Sequence, residues 1–259
     1  LRIVAHSCSN TEIVCALGCG ELLVGVDDHS DFPPDVLRDV PRVGPDLHLD
    51  IDRVVALKPD LVIASLTVPG HERNADALVA AGLNVLILEP TQLSCIPADV
   101  RTIARALSVD GRGEALATEL EQAFQAQSPP KRRSRVLVEW WPKPVIVPGR
   151  QSWVTDLLDL AGGVNPFADR DVKSLPITDE EAIEAAPDVC VASWCGVPDY
   201  KVDPGRILRR RGWGAIPAVR DRRCVAIPEA YLGRPGPRLV EGLRRLREAI
   251  AQDFSGIEV

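Results

Sequence analysis

Methionine is absent from all 259 residues, and the chain has only two tyrosines, four phenylalanines and four histidines. A chain without methionine that begins at Leu1 is expected to lack upstream residues, which leaves room for a signal peptide or lipid-anchored leader. Long apolar runs are missing as well. Charges or prolines break every hydrophobic stretch before the roughly 20 residues that a membrane-spanning helix needs, so the chain reads as soluble. There is no excess of basic charge: the formal net charge is −7, whereas a nucleic-acid binder needs a concentrated basic face. The basic runs Lys131-Arg132-Arg133 and Arg209-Arg210-Arg211 stand beside prolines or a glycine and read as solvated turns or helix ends.

The standard catalytic and phosphate-binding patterns are also lacking: no P-loop, no H-E-x-x-H, no G-x-S-x-G and no paired C-x-x-C zinc spacing. Seven cysteines are an odd number, scattered without the spacing of a disulfide framework. Cys15, Cys190 and Cys224 sit inside apolar stretches and read as small buried hydrophobes. Cys195 follows an apolar strand and could be a nucleophile, but no histidine lies in its half of the chain to activate it. These absences point away from an enzyme and require no cofactor.

What is present, at 46% hydrophobic residues, is enough apolar material for one large core or two modest ones. Short apolar strands alternate with amphipathic helices, the mark of α/β layering around parallel sheets. Arg2 to Ala5 reads as a strand, and Ser9-Asn10-Thr11-Glu12 as a capping box with Ser9 at the cap. The helix that follows ends at Gly18 and Gly20. Asp50 caps a helix through Leu57, Leu61 to Ala64 is a strand, Asn74 to Ala81 a helix and Asn84 to Leu88 a strand. Ala98 to Leu107 and Gly113 to Gln127 read as helices, the second a connector ending in Ser128-Pro129-Pro130.

The second half repeats the plan of the first. Arg2-Ile-Val-Ala has a counterpart in Arg135-Val-Leu-Val, and DRVVALKPDLVIAS (52 to 65) in EEAIEAAPDVCVAS (180 to 193), where Thr178 to Glu181 supplies another capping box. The fold expected is therefore α/β, with two Rossmann-like lobes built on mostly parallel sheets and bridged by one long α-helix: residues 1–108, a connecting helix and linker over 109–133, and residues 134–259. A ligand would sit between such lobes.

Ligands of open α/β sheets bind at the carboxyl ends of the strands, and there the sequence concentrates aromatics. Trp140 and Trp141 follow the strand Arg135 to Glu139, Trp153 opens the next helix and Trp194 follows the strand Asp188 to Ser193. A single such tryptophan is most simply core filling. Recurrence at strand exits in a chain with 4% aromatic residues favours a broad, partly apolar ligand. The first half offers polar groups at its strand exits: His6 to Cys8, His29 to Phe32, Asp46 to His48 and Ser65 to Pro69. Each alone is ordinarily a turn residue; together, with Asp46 and Ser65 foremost, they would form a facing wall. His29 or His48 could ligate a metal, though sequence alone does not bring them together.

The order Ser9-Asn10-Thr11-Glu12, Gly25-Val-x-x-x-Ser30-Asp31-x-Pro33-Pro34, Pro41-Arg-Val-Gly44 and ALKPDLVIA resembles the class III periplasmic binding proteins that deliver cobalamin, haem and ferric siderophores to ABC importers. Val138-Glu-Trp-Trp-Pro-Lys-Pro144, Ala161-Gly-Gly163, Arg211-Gly-Trp-x-x-Ile-Pro-Ala-Val219 and Arg234-Pro-Gly-Pro-Arg-Leu239 extend the resemblance over nearly the whole chain. It implies two lobes joined by a helix, periplasmic or cell-envelope placement, a monomer, and capture of a cobalamin-like corrinoid for delivery to the transmembrane dimer of an importer, with no metal of the protein's own. By motif position His29, Trp140 or Trp141, Tyr231 and Arg234 would line the ligand cleft, with Trp194. Glu72 and Glu180 would dock on the permease. Two positions depart from the cobalamin members: Ser65-Leu66-Thr67 replaces a tryptophan, and His29 stands where an aromatic is expected. Haem and ferric siderophores are the alternative ligands; a thiol enzyme using Cys195 and a cytosolic corrinoid carrier are alternatives of other classes.

Overall fold

A computed structural model of the chain describes residues 1–125 and 133–251. The expected helix end at Gln127, the Ser128-Pro129-Pro130 turn and Lys131-Arg132 lie outside the described residues. The chain divides into two compact units, Leu1–Pro90 with Ser94–Gln122, and Thr91–Leu93 with Ala123–Val259.

In the first unit, β1 (Ile3–Ala5), β2 (Leu23–Val26), β3 (Leu61–Ser65) and β4 (Val85–Leu88) form a parallel sheet in the order β2-β1-β3-β4. Every residue of the central strands β1 and β3 is buried, as expected of parallel strands covered on both faces. The helices are α1 (Cys8–Ala16), α2 (Pro34–Leu37), α3 (Ile51–Ala56), α4 (His71–Ala80), α5 (Cys95–Ala106) and α6 (Asp110–Ala123). Asp50 caps α3, accepting from the Arg53 amide at 2.9 Å, and Gly18, at φ 65°, turns the chain out of α1.

The cap of α1 differs from expectation. Ser7, at φ 79°, occupies it without a side-chain capping bond, its hydroxyl lying 3.1 Å from that of Ser9, which is buried in the first turn. Only His6 and Ser7 separate β1 from α1, so the reversal falls on Ser7 and the helix starts before Ser9. α4, α5 and α6 likewise begin three residues before the apolar periodicity does, since first turns are polar and tolerate a proline such as Pro97. α6 ends at Ala123 and packs on α5: a Cβ on Gly113 would lie 2.2 Å from the Ala104 Cβ, and Arg101 on α5 bonds Glu114 and Glu121 on α6.

The second unit holds β5 (Ser134–Glu139), β6 (Trp141–Pro142), β7 (Val145–Pro148), β8 (Gly163–Val164), β9 (Ser174–Ile177), β10 (Val189–Ala192) and β11 (Cys224–Ala226). Its helices are α7 (Trp153–Leu160), α8 (Asp179–Ala185), α9 (Gly205–Leu208), α10 (Pro217–Arg220), α11 (Glu229–Leu232) and α12 (Leu239–Ala251). The parallel strands run β11-β10-β5-β8. Taken in chain order, both parallel sheets have the arrangement second, first, third, fourth.

The repeat extends to individual bonds. The Arg2 amide donates to Asp60 Oδ2 at 2.7 Å and the Arg135 amide to Asp188 Oδ2 at 2.8 Å. The side chain of Arg2 reaches the carbonyl of Leu57, and that of Arg135 the carbonyl of Ala185. Lys58 and Ala186 hold the same left-handed turn, at φ 47° and 41°. The capping box at α8 is present in both directions, Glu181 N to Thr178 Oγ1 at 3.2 Å and Thr178 N to Glu181 Oε2 at 2.9 Å.

One feature has no counterpart in the first unit: the antiparallel sheet β6-β7-β9. Its strands carry Pro142, Pro148 and Pro176, which in sequence mark turns and which a small edge sheet tolerates. Among the described residues no helix is long and apolar enough to cross a membrane.

Candidate ligand-binding site

At the carboxyl edge of the first sheet the strand exits converge on Asp46. His6 follows β1, and its Nε2 lies 2.7 Å from the Asp46 carbonyl oxygen, to which Asn74 of α4 also donates. The Asp46 carboxylate sits 3.5 Å from His71 Nε2 and 3.7 Å from His29 Nε2. At this length the first of these is a close approach short of a well-formed hydrogen bond. The His6 and His71 rings, both buried, meet edge to face with centroids 4.7 Å apart. Beneath them Asn10 donates to the His6 carbonyl at 2.7 Å and to Ser65 Oγ at 2.9 Å. Asp27 accepts from Ser30 Oγ at 2.7 Å and from the His29 amide at 2.9 Å.

Burial pushes the His6 pKa below its ordinary value, and the neighbouring His71 lowers it further. His71 also holds the Asp46 carboxyl below the usual carboxylate range, against the opposing effect of burial. Three of the polar groups expected at this edge thus meet: His29 and Asp46 in contact, and Ser65 buried as the hydroxyl that fixes Asn10. His48 is exposed. Among the described residues no group of three or more histidine, cysteine or acidic side chains is arranged to hold a metal ion.

The corresponding edge of the second sheet is built on Glu139, the last residue of β5, whose side chain is fully buried. It accepts from Trp194 Nε1 at 2.9 Å and from Arg210 at 2.7 and 3.1 Å, a bidentate pair. The Arg210 guanidinium also stacks 4.2 Å from the Trp213 ring centroid, and Trp213 donates to Asp179 at 2.7 Å. Trp140 and Trp141 split as successive residues of an extended chain do: Trp140 is buried, whereas Trp141 leaves 41% of its surface exposed.

Trp141 and the edge of Trp194, with Pro142, Val197, Lys201 and Arg206, line a cavity of about 480 Å³. A larger hollow of about 530 Å³ lies in the first unit beside Cys15 and Leu23, the first residue of β2. That is the amino end of the sheet, where α/β folds do not bind ligands, and burial pushes the Cys15 thiol up to about 11. The cavity at Trp141 is the better candidate on position and on chemistry.

Other expected residues have different surroundings. The guanidinium groups of Arg238 and Arg245 stand over Tyr231, at 4.6 and 4.4 Å from its ring centroid. Arg234 is buried and pairs with Glu229 at 3.2 Å. Trp153 donates its indole N–H to the Leu232 carbonyl at 2.7 Å, deep in the unit. Cys195 is exposed and not in a disulfide. Glu72 and Glu180 are both exposed in first helical turns. They are not equivalent in the repeat, however: Glu72 follows the third parallel strand of its unit, and Glu180 precedes that of the other. The repeat counterpart of Glu72 falls near the exposed Asp199.

Sequence reasoning missed His71, Arg210, Lys201 and Arg206. His71 had a usable signal, since it opens a helix directly after Gly70. The arginines and the lysine had none, because only the fold brings them to Trp194.

Two α/β units of one topology, each with a polar cluster at its sheet's carboxyl edge and with an aromatic-walled cavity in the second, have the form of a binding protein for a small molecule. The profile of the periplasmic binding protein family matches residues 3–231, and the chain belongs to that family. An uncharacterised ABC transporter substrate-binding lipoprotein of Bacillus subtilis (strain 168), YvrC, is 30% identical over 97% of this chain and 80% of its own length. The vitamin B12-binding protein of Vibrio cholerae is 26% identical over 95% of this chain and 87% of its own. The solved periplasmic haem-binding protein RhuT from Roseiflexus sp. RS-1, in apo form, superposes with a TM-score of 0.80 at 30% identity, covering 96% of this chain and 97% of that one. The chain is accordingly a substrate-binding protein of the kind that serves ABC importers.

Proposed function

We propose that this protein captures a corrinoid of the vitamin B12 type and delivers it, as a monomer in the cell envelope, to the transmembrane dimer of an ABC importer. The observation that carries this reading is the cavity at Trp141, about 480 Å³ with a broad, half-exposed indole for a wall. A flat apolar macrocycle suits it, and relatives named as vitamin B12-binding proteins align along nearly the whole chain. His29, Asp46 and Ser65 of the first unit are the polar contacts of this reading, and Trp140, Trp141, Trp194, Tyr231 and Arg234 are its contacts in the second unit. Residues 109–133, with α6, serve as the bridge between lobes 1–108 and 134–259. Glu72 and Glu180 serve as docking acids for the permease.

Haem is the second reading, favoured by the cations Lys201 and Arg206 at the cavity rim and by the likeness to a haem-binding structure. Catalysis by the exposed Cys195 is the alternative of another class. Titration of the protein with cyanocobalamin, followed by quenching of tryptophan emission, tests the proposal. Trp141→Ala should weaken binding by roughly thirtyfold, the cost of truncating an aromatic anchor. Unchanged affinity in Trp141→Ala would remove the cavity from the ligand site.

A further inference from the structure

We propose that Lys201 and Arg206 form an anion-recognition rim on the Trp141 cavity, selecting an apolar, ring-shaped ligand that carries a peripheral anionic group. The inference rests on the reading of this cavity as the ligand site. Three observations carry it.

The wall is apolar: Trp141, Pro142, Val197 and the edge of Trp194 supply it, and Lys201 and Arg206 are the only charged residues among its lining. Neither cation makes an ion pair within 4 Å among the described residues, although most arginines of the second unit do. The acids of the surrounding elements are engaged elsewhere or do not line the cavity. Glu139 is held by Arg210 and Trp194, and Asp203 by Arg209 at 2.6 Å and the Gly205 amide at 2.8 Å. Asp199, in the turn before Lys201, is not a lining residue.

The Arg206 guanidinium carbon stands 5.5 Å from the centroid of the Trp194 ring, and the Lys201 ammonium 5.6 Å from that of Tyr200. Each aromatic face holds its cation near the cavity without neutralising it. An anion arriving with an apolar ring would therefore gain charge-assisted bonds to donors that are in no ion pair, since Asp203, whose carboxylate feels the Arg206 charge, is already bound to Arg209. The class of group that fits is a carboxylate or phosphodiester at the edge of a macrocycle. The two sources of that chemistry are the porphyrin propionate and the corrinoid nucleotide loop.

Two ligand pairs separate these sources: cyanocobalamin with dicyanocobinamide, which lacks the nucleotide-loop phosphodiester, and haemin with its dimethyl ester. The parent should bind the anionic member of its cognate pair about tenfold or more tighter than the neutral one. Lys201→Gln/Arg206→Gln should lose that preference while keeping its affinity for the neutral member. A third pair is independent of the natural ligand: anilinonaphthalene sulfonate and N-phenyl-1-naphthylamine, which share their rings and differ in the sulfonate. Preference for the sulfonate, transferred from Trp141 by energy transfer and lost in the double variant, supports the rim even if neither tetrapyrrole binds; that outcome would remove the proposed function alone. If the parent shows no preference for the sulfonate, or the double variant weakens both members of a pair equally, the rim is overturned whatever the tetrapyrroles do. Arg206→Lys, which keeps the charge, should retain most of the preference, and loss in that variant equal to the double variant's would also count against it.

Discussion

Removing the Arg210 side chain tests the physical core of the second unit. Glu139 has no exposed side-chain surface and Arg210 only 15%, and they meet in two bonds of 2.7 and 3.1 Å. In Arg210→Met the carboxylate keeps one donor, Trp194 Nε1 at 2.9 Å, and remains shut away from water. Breaking one side of such a buried pair costs about 3–5 kcal/mol, a large part of the 5–15 kcal/mol that typically holds a protein folded. In Arg210→Met/Glu139→Gln no uncompensated charge remains, so the two changes together should cost at least about 2 kcal/mol less than the sum of each alone. Urea unfolding followed by tryptophan emission isolates the effect, because Trp140, Trp141, Trp153, Trp194 and Trp213 all lie in the second unit. At a slope of about 1–3 kcal/mol per molar urea, the midpoint of Arg210→Met should fall by more than about 1 M. A change under about 1 kcal/mol, or strict additivity in the double variant, would refute the view that this pair is a desolvated hub supporting Trp194.

The other predictions concern the first unit and the importer. The His6 pKa is depressed on folding, so the unfolded chain takes up the proton first. The stability from keeping this ring neutral is complete above about pH 6.5 and erodes as pH falls below it; Asp46, also depressed, adds a further loss below its ordinary range near 3.8. Protection of the β1 amides, the intrinsic exchange rate divided by the observed one, should fall between pH 7 and 5, and fall less in His6→Gln; an equal slope in both proteins would contradict this. Gly113→Ala would raise helix propensity, yet its Cβ would meet Ala104 at 2.2 Å, so a net loss of about 1–3 kcal/mol is expected by thermal unfolding, and a gain would show that α5 and α6 pack less closely. Glu72→Lys/Glu180→Lys should leave ligand affinity intact while slowing association with the cognate permease most at low salt. Normal docking by that variant, with slow docking by Glu72→Lys/Asp199→Lys, would move the second docking acid to the repeat counterpart of Glu72.

Much of the architecture was legible because it is written locally. KPDLVIAS and APDVCVAS announce the same turn and strand, and the arginines that open β1 and β5 close the same latch onto Asp60 and Asp188. Helix ends were legible where a side chain or glycine marks them, at Asp50, Thr178 and Gly18, and misplaced where the backbone alone turns, at Ser7. The prolines of β6, β7 and β9 concealed a sheet, because proline reads as a break, although Pro142 and Pro176 lie on the outer strands and Pro148 only ends the central one. The site was legible only in outline. Adjacent tryptophans gave no sign of which would be buried, and Trp141 emerged as the exposed one from the direction of the chain after β5. Asp46 is drawn to His6 and His71 by folding over separations of 40 and 25 residues, which no local pattern records. Arg210 was placed in a solvated basic run, where Arg209 does stay outside, bound to Asp203, while Arg210 turns inward to Glu139.

The central claim, corrinoid capture, is tested most directly by incubating the protein with cyanocobalamin, haemin and a ferric hydroxamate separately, desalting each mixture, and recording the visible spectrum of the protein fraction. The account predicts that cyanocobalamin stays with the protein in a one-to-one ratio and that Trp141→Ala carries less of it. A protein fraction that retains the haemin or hydroxamate absorption while cyanocobalamin passes into the salt fraction would contradict it.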